Sequence, residues 1–171
     1  GAVAARVDWR SIAGCLAEAS KAASGREASH ELELVMRPDP RIHDGRFANN
    51  AWLLELPSPI EKLTWTNAAA LSPETASRLG LASGDEVVVH AGDRFVKAPA
   101  LVVEGQADGT MGLTLGWGRS RGAELAHGRG ANAYALAADA ALSPIAVRVD
   151  KTRARQKLPI TQTQRTLEGR D

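Results

Sequence analysis

The chain has a single cysteine, Cys15, among 171 residues. That excludes an internal disulfide framework and any zinc or iron–sulfur site built from several cysteines of this chain. Cys15 itself reads as a small apolar residue on a helix. Aromatic residues are scarce, at 4%, so Ala, Leu and Val must build the core. No apolar run approaches the roughly 18 residues that a membrane-spanning helix needs. Charge is nearly balanced, at +1, which excludes bulk attraction to nucleic acid or to an anionic membrane. The chain begins at Gly1 without an initiator methionine or a signal peptide, and it reads as a piece of a longer protein whose localisation is not written in it.

The usual catalytic and cofactor signatures are missing as well. His30, His43, His90 and His127 are scattered, and none shows metal-ligand spacing such as H-E-x-x-H. There is no G-x-S-x-G for a hydrolase nucleophile. No Gly-Lys-Ser/Thr follows a glycine-rich loop, and no G-x-G-x-x-G sits between a strand and a helix, which excludes a P-loop and a Rossmann-type dinucleotide fold. A pyruvoyl decarboxylase needs a self-cleaving Gly-Ser bond, and no Gly-Ser pair occurs.

What is present reads as a helical lead-in, a β-rich domain and a basic tail. Asp8 to Ala23 has the pattern of a helix: Asp8 caps it, Trp9, Ile12, Leu16 and Ala19 recur at helical spacing, and Ser24-Gly25 stops it. Residues 1–30 are therefore expected to be a helical lead-in or linker. Glu31 to Met36 predicts a strand ended by Pro38. Arg37 to Pro59 is long, polar and without periodicity, but Phe47, Trp52, Leu53, Leu54 and Leu56 argue that it is ordered. Short strands are expected at Leu63–Thr66 and Ala68–Leu71. Ser72-Pro73-Glu74-Thr75 opens a short helix that ends at Gly80. Asp85–His90 and Arg94–Val103 form a hairpin around Ala91-Gly92-Asp93. Thr110–Leu115 and Ala146–Val149 supply further strands. From Arg148 to Asp171 seven basic and three acidic residues give a local charge of +4. With no interleaved aromatic to stack bases, that tail reads as solvated or partner-contacting.

Three segments carry candidate chemistry. Leu79-Gly80-Leu81 and Gly84-Asp85-Glu86-Val87 form L-G-L-x-x-G-D-x-V, in which a helix ends, a turn follows, and Asp85 bonds turn amides before a strand begins. Gly116 to Gly130 holds five glycines with Arg119, Arg121 and Arg129. It reads either as an anion or pterin cradle, with backbone amides and guanidinium forks as donors, or as a solvated arginine loop. Asn49 and Asn50 either present amides to a heterocycle's edge, or Asn50 caps a helix whose Trp52 packs in the core.

Taken together, these phrases resemble the C-terminal dinucleotide-binding domain of the molybdopterin oxidoreductase (DMSO reductase) superfamily. They are R-P-D-P-R-I-H-D-G-R-F-A-N-N-A-W-L-L-E-L-P at 37–57, K-L-T-W-T-N-A-A-A-L-S-P at 62–73, the G-D-x-V phrase, L-G-W-G-R-S-R-G at 115–122 and G-x-G-A-N-A-Y-A-L at 128–136. The 44–57 phrase and the closing T-Q-T-Q-R-T-L-E-G-R also resemble the fused iron–sulfur and molybdopterin-type large subunit of alternative complex III. Relatives carry two histidines in that closing phrase, where this chain has Gln164 and Arg165.

The resemblance implies a mainly β fold with short helices, a six-stranded double-psi β-barrel of aspartate-decarboxylase type, over residues 31–150, followed by a basic extension at 151–171. It implies a domain that cradles a bis-(molybdopterin guanine dinucleotide) cofactor in a larger molybdenum or tungsten oxidoreductase, with the metal ligand in another domain and no catalysis by the fragment alone. It places Asn49, Asn50 and Trp52 toward the cofactor, Gly116, Trp117 and Arg119 along its binding loop, and Asn132 against a pterin. The implied partners are the remaining domains of the parent and other respiratory subunits, with no nucleic acid and no membrane span in this piece. The parent would be bacterial, and periplasmic or membrane-associated. The isolated fragment is expected to hold no cofactor. The alternative is a domain of a respiratory electron-transfer complex that keeps the barrel without the cofactor, as the alternative complex III branch implies.

Overall fold

A computed structural model describes Trp9 and residues 12–15, 31–121, 124–137 and 144–162. Six strands form the architecture: β1 (Glu31–Arg37), β2 (Ala69–Leu71), β3 (Asp85–Ala91), β4 (Arg94–Val102), β5 (Thr110–Thr114) and β6 (Ile145–Arg155). They close into a barrel in the order β1-β5-β2-β4-β3-β6, with β6 pairing back onto β1. The pairs β1–β5 and β2–β4 are parallel and the other four are antiparallel. This is the expected six-stranded barrel with few short helices.

The strands form where alternation tells the two faces apart. On β1, Leu32, Leu34 and Met36 are buried while Val35 points outward. On β3, alternate residues from Asp85 to Ala91 are buried. The interior is filled by Leu, Val, Ala and Met side chains from all six strands. A second cluster, of Leu63, Ala68, Ala70, Leu101 and Val103, is covered by Leu158 and Ile160.

Two short helices punctuate the barrel. In α1 (Ala51–Glu55), Asn50 Oδ1 accepts from the backbone N–H groups of Trp52 and Leu53. In α2 (Pro73–Arg78), Ser72 Oγ accepts from Thr75 N at 3.0 Å and Pro73 occupies the first turn, as the motif requires. After α2, Asp85 Oδ2 accepts from Ala82 N at 2.9 Å across the turn that Gly84 makes. The helix–turn–strand reading of L-G-L-x-x-G-D-x-V thus holds in detail.

Several expectations are corrected. Leu63–Thr66 is not a strand: Leu63 makes one bridge to Ile160, and Lys62 and Trp65 have φ of 57° and 56°, which break any extended run. Trp52 does not pack in the core but is 86% exposed, although Asn50 does cap its helix. The last strand is longer than Ala146–Val149, so the basic stretch up to Arg155 belongs to the barrel. Its cations have a local reason to be there: Lys151 Nζ and Arg155 Nε lie 2.7 and 2.9 Å from the buried Asp85 carboxylate. Of the helix expected over Asp8–Ala23, Trp9 and Ile12–Cys15 are described and helical, with Cys15 exposed. The remainder of that helix and the closing phrase from residue 163 lie outside the described residues.

The Asp85 anchor sets a pH dependence. The hydrogen bond from Lys151 and that from Ala82 N, reinforced by the charges of Lys151 and Arg155, hold the carboxyl below its usual range against the opposing effect of burial. A carboxylate depressed in the folded state stabilises above its unfolded pKa, about 3.9, and loses that contribution as pH falls through the lower folded value. Asp85→Asn is therefore expected to lower the melting temperature at neutral pH, with the gap to wild type narrowing below about pH 4. Thermal unfolding across pH checks this; a gap that does not change with pH contradicts it.

Candidate functional site

The parallel strands β1 and β5 run side by side, with Val35 opposite Gly112, and both feed loops at the same end of the barrel. The first loop runs from Pro38 to Asn50 and the second from Leu115 to Asn132. A third, irregular segment from Leu56 to Ala68 lies against them. What holds the three together is a buried ion pair. Asp39 and Arg41 are almost inaccessible, and Arg41 Nε and Nη2 donate to the two Asp39 oxygens at 3.0 and 2.9 Å. The carboxylate also accepts from Arg41 N, Ile42 N, Thr114 Oγ1 and, at 2.8 Å, Trp117 Nε1. Arg41 uses its remaining donors on the carbonyls of Leu63, Leu56 and Thr66. Its guanidinium lies 5.0 Å from the Trp117 ring centroid. Burial pushes Asp39 upward, but the hydrogen bonds from Arg41 and Trp117 outweigh it and hold the group ionised.

The second loop closes against this hub through its backbone. At Gly116, with φ of +90°, a Cβ would lie 2.5 Å from Gly45 N and 2.8 Å from Gly45 Cα. At Gly118, with φ of +69°, it would lie 2.5 Å from Asn132 N. The glycines thus permit loops to touch backbone to backbone. The amides of Gly118 and Gly128 go to the Arg129 and Arg119 carbonyls, so these two are engaged within the loop. The buried Asn67 staples the loop's end: its amide donates to the Thr114 and Ala131 carbonyls and accepts from Ala131 N.

Between the loops lies a cavity of about 340 Å³ lined by Asp44, Gly116, Trp117, Gly118, Arg119, Ser120, Arg121, Asn132 and Tyr134. Of the seven expected cofactor residues it gathers Gly116, Trp117, Arg119 and Asn132; Asn49, Asn50 and Trp52 are exposed outside its lining. The gathered side chains are partly engaged. Trp117 is buried with its N–H on Asp39. Arg119 donates through Nη1 to the Gly45 carbonyl. Asn132 Oδ1 caps the short 3-10 turn Ala133–Leu136 by accepting from Tyr134 N. Arg121 makes no hydrogen bond or ion pair among the described residues. Arg129 faces elsewhere, stacking 4.8 Å from the Trp65 centroid.

The sequence left Asp44, Ser120 and Tyr134 unassigned. The Tyr134 hydroxyl donates to the Asp44 carbonyl at 3.1 Å, tying the two loops together across the cavity mouth. Burial and the nearby Asp44 charge both push Tyr134 upward, so its hydroxyl stays protonated and able to donate. No local motif signals this contact, because its partners are separated by 90 residues.

The closed barrel thus opens one end into a small cavity between two loops. Among the described residues there is no cluster of three or more metal-ligating side chains, and no helix is long and apolar enough to cross a membrane. The family model of the Molydopterin dinucleotide binding domain matches residues 56–153, more than half of the chain, and the chain belongs to that family. Its fold is similar to that of acetylene hydratase from Pelobacter acetylenicus, at 16% identity and a TM-score of 0.52 over 80% of this chain and 20% of that one. The chain thus spans a fifth of that protein's length. No curated protein matches it.

The donor set suits one part of a dinucleotide cofactor. Arg119, Arg121 and the Ser120 hydroxyl are anion donors, and Tyr134 offers a partly open ring, 43% exposed. At about 340 Å³ the cavity sits at the low end of ligand pockets, roughly 300–1,000 Å³. That suits a nucleotide-sized portion, with the rest of the ligand held elsewhere.

Proposed function

We propose that this domain supplies half of a molybdopterin guanine dinucleotide cradle in a larger molybdenum or tungsten oxidoreductase. The observation that carries the reading is the cavity between the two loops, in a chain of the dinucleotide-binding family. Arg119, Arg121 and Ser120 would hold the pyrophosphate, Gly116 to Gly118 would let the ligand approach the backbone, and Asn132 would line the pterin side. When bound, the cofactor supplies the redox chemistry, and the domain contributes position and electrostatics. Asn49, Asn50 and Trp52 lie outside the cavity. With Phe47, Leu56 and Ile60 also exposed, this stretch is the surface that the remaining domains would cover. The likeness of 44–57 to the alternative complex III large subunit extends the proposal to a respiratory complex, with its other subunits as partners.

A second reading keeps the barrel as a cofactor-free structural domain of such a complex. It is favoured by the engagement of Trp117, Arg119 and Asn132 within the protein. Assaying molybdenum, tungsten and guanine nucleotide in the active full-length parent separates the two. Stoichiometric nucleotide and metal are expected; their absence from active protein establishes the second reading.

A further inference from the structure

The family match ends at residue 153, and the last strand at Arg155. Residues 156–161 then run over the second hydrophobic cluster, tied down at both ends. At the start, Gln156 N donates to the Gly84 carbonyl at 2.7 Å. Gly84, with φ of +91°, admits this approach, since a Cβ there would lie 2.7 Å from Gln156 O. Gln156 Nε2 also donates to Glu86 Oε2 at 3.1 Å. At the other end, the Pro159 carbonyl accepts from Thr64 N at 3.1 Å, and Thr161 N donates to the Lys62 carbonyl at 3.0 Å. Between them, Leu158 and Ile160 cover Leu63, Ala68, Ala70, Leu101 and Val103. Pro159 biases Leu158 toward extended backbone and has no N–H of its own to satisfy.

We propose that residues 156–161 are a latch, which sets the loop end of the barrel through the segment that it grips. That segment, residues 62–67, does not take its shape from local preference. Lys62 and Trp65 have φ of 57° and 56°, a region that such residues occupy only with outside support. The latch grips the segment at Lys62, Leu63 and Thr64, and the segment reaches both loops. The Leu63 and Thr66 carbonyls accept from Arg41 of the first loop at 2.8 and 3.3 Å. The Trp65 ring lies 4.8 Å from the Arg129 guanidinium of the second loop, and Asn67 bonds Ala131 through both its amide nitrogen and its oxygen. With the latch seated, these contacts are positioned from outside the barrel. With it lifted, the segment relaxes out of its left-handed turns and the two loops lose a common support. Leu158 and Ile160 are only partly buried, so the latch opens locally while the interior cluster stays packed.

Native-state hydrogen exchange of the chain, read by NMR, compares wild type with Leu158→Ser/Ile160→Ser. The double variant should lose at least about tenfold protection at Thr64 and Thr161, which bond across the latch, and also at Ile42, Trp65 and Ala131, which do not. Strand amides of β3 and β4 should keep theirs. Coupling is reciprocal, so Asn67→Ala, at the far end of the segment, should speed exchange at Thr161; no change there denies the coupling. Loss confined to Thr64 and Thr161 overturns the latch and leaves a simple cover over an apolar cluster. The milder Ile160→Ala guards against general unfolding. Uniform loss in that variant, β3 and β4 included, also overturns the proposal and makes the segment an ordinary part of the core.

Discussion

Asp39→Asn is expected to lower the unfolding free energy by about 3–5 kcal/mol, the usual effect of leaving a buried charge without its partner. Small domains have about 5–15 kcal/mol in total, so the variant should be partly unfolded or close to it at 37 °C. The reason lies in the inventory around this carboxylate. Arg41 has both oxygens in fork geometry and is itself almost inaccessible, so an amide at position 39 leaves a guanidinium without a counter-charge and presents it with N–H donors of its own. Trp117 loses its acceptor at the same time. Urea denaturation checks the value, and a change under about 0.5 kcal/mol, the range of an ordinary surface substitution, contradicts the reading. Removing both charges together, as Asp39→Leu with Arg41→Met, should be milder than Asp39→Asn alone, because no unpaired ion remains.

Gly116→Ala is expected to abolish ligand binding at the cavity while most of the barrel survives. Its Cβ would sit 2.5 Å from Gly45 N and 3.0 Å from the Asp44 carbonyl carbon, and both are backbone atoms that cannot rotate aside. The left-handed φ of +90° adds roughly 1–3 kcal/mol of strain for a residue with a side chain. The strain is relieved by parting the two loops, which moves Arg119 off the Gly45 carbonyl and Tyr134 off the Asp44 carbonyl. The expected result is a loss of at least about tenfold in nucleotide affinity, with strand amides in β3 and β4 keeping their hydrogen-exchange protection. Unchanged affinity, or loss of protection throughout, contradicts this.

Much of the framework was legible in the chain. Ser72-Pro73 marked the start of α2, and Gly84-Asp85 marked the turn into β3, because capping and turn preferences act over a few residues. Alternation on β1 and β3 told inner from outer faces because each strand has one face in the core. The Gly116–Gly130 segment stood out by composition. Its glycines were read as leaving amides free for an anion, but at Gly116 and Gly118 they chiefly admit close backbone contact with Gly45 and Asn132. The strand expected at Leu63–Thr66 failed because positive φ at Lys62 and Trp65 is set by tertiary contacts, such as Trp65 N on Leu54 O, and not by local preference. The basic residues after Arg148 looked like a tail because the buried partner of Lys151 and Arg155 lies far back in the chain, at Asp85.

The sequence by itself determined the kind of domain: a mainly β barrel bearing the phrases of a dinucleotide-binding family. The tertiary structure decided which of its polar residues meet. Trp117 and Arg119 stand 78 and 74 residues from the groups they bond, Asp39 and Gly45, and no local periodicity encodes that approach. Parallel pairing of β1 with β5 brings their two following loops to one end of the barrel. Backbone contact through glycine then brings the Trp117 N–H onto the hub and gathers Asp44, Trp117, Arg119, Arg121 and Tyr134 around one cavity.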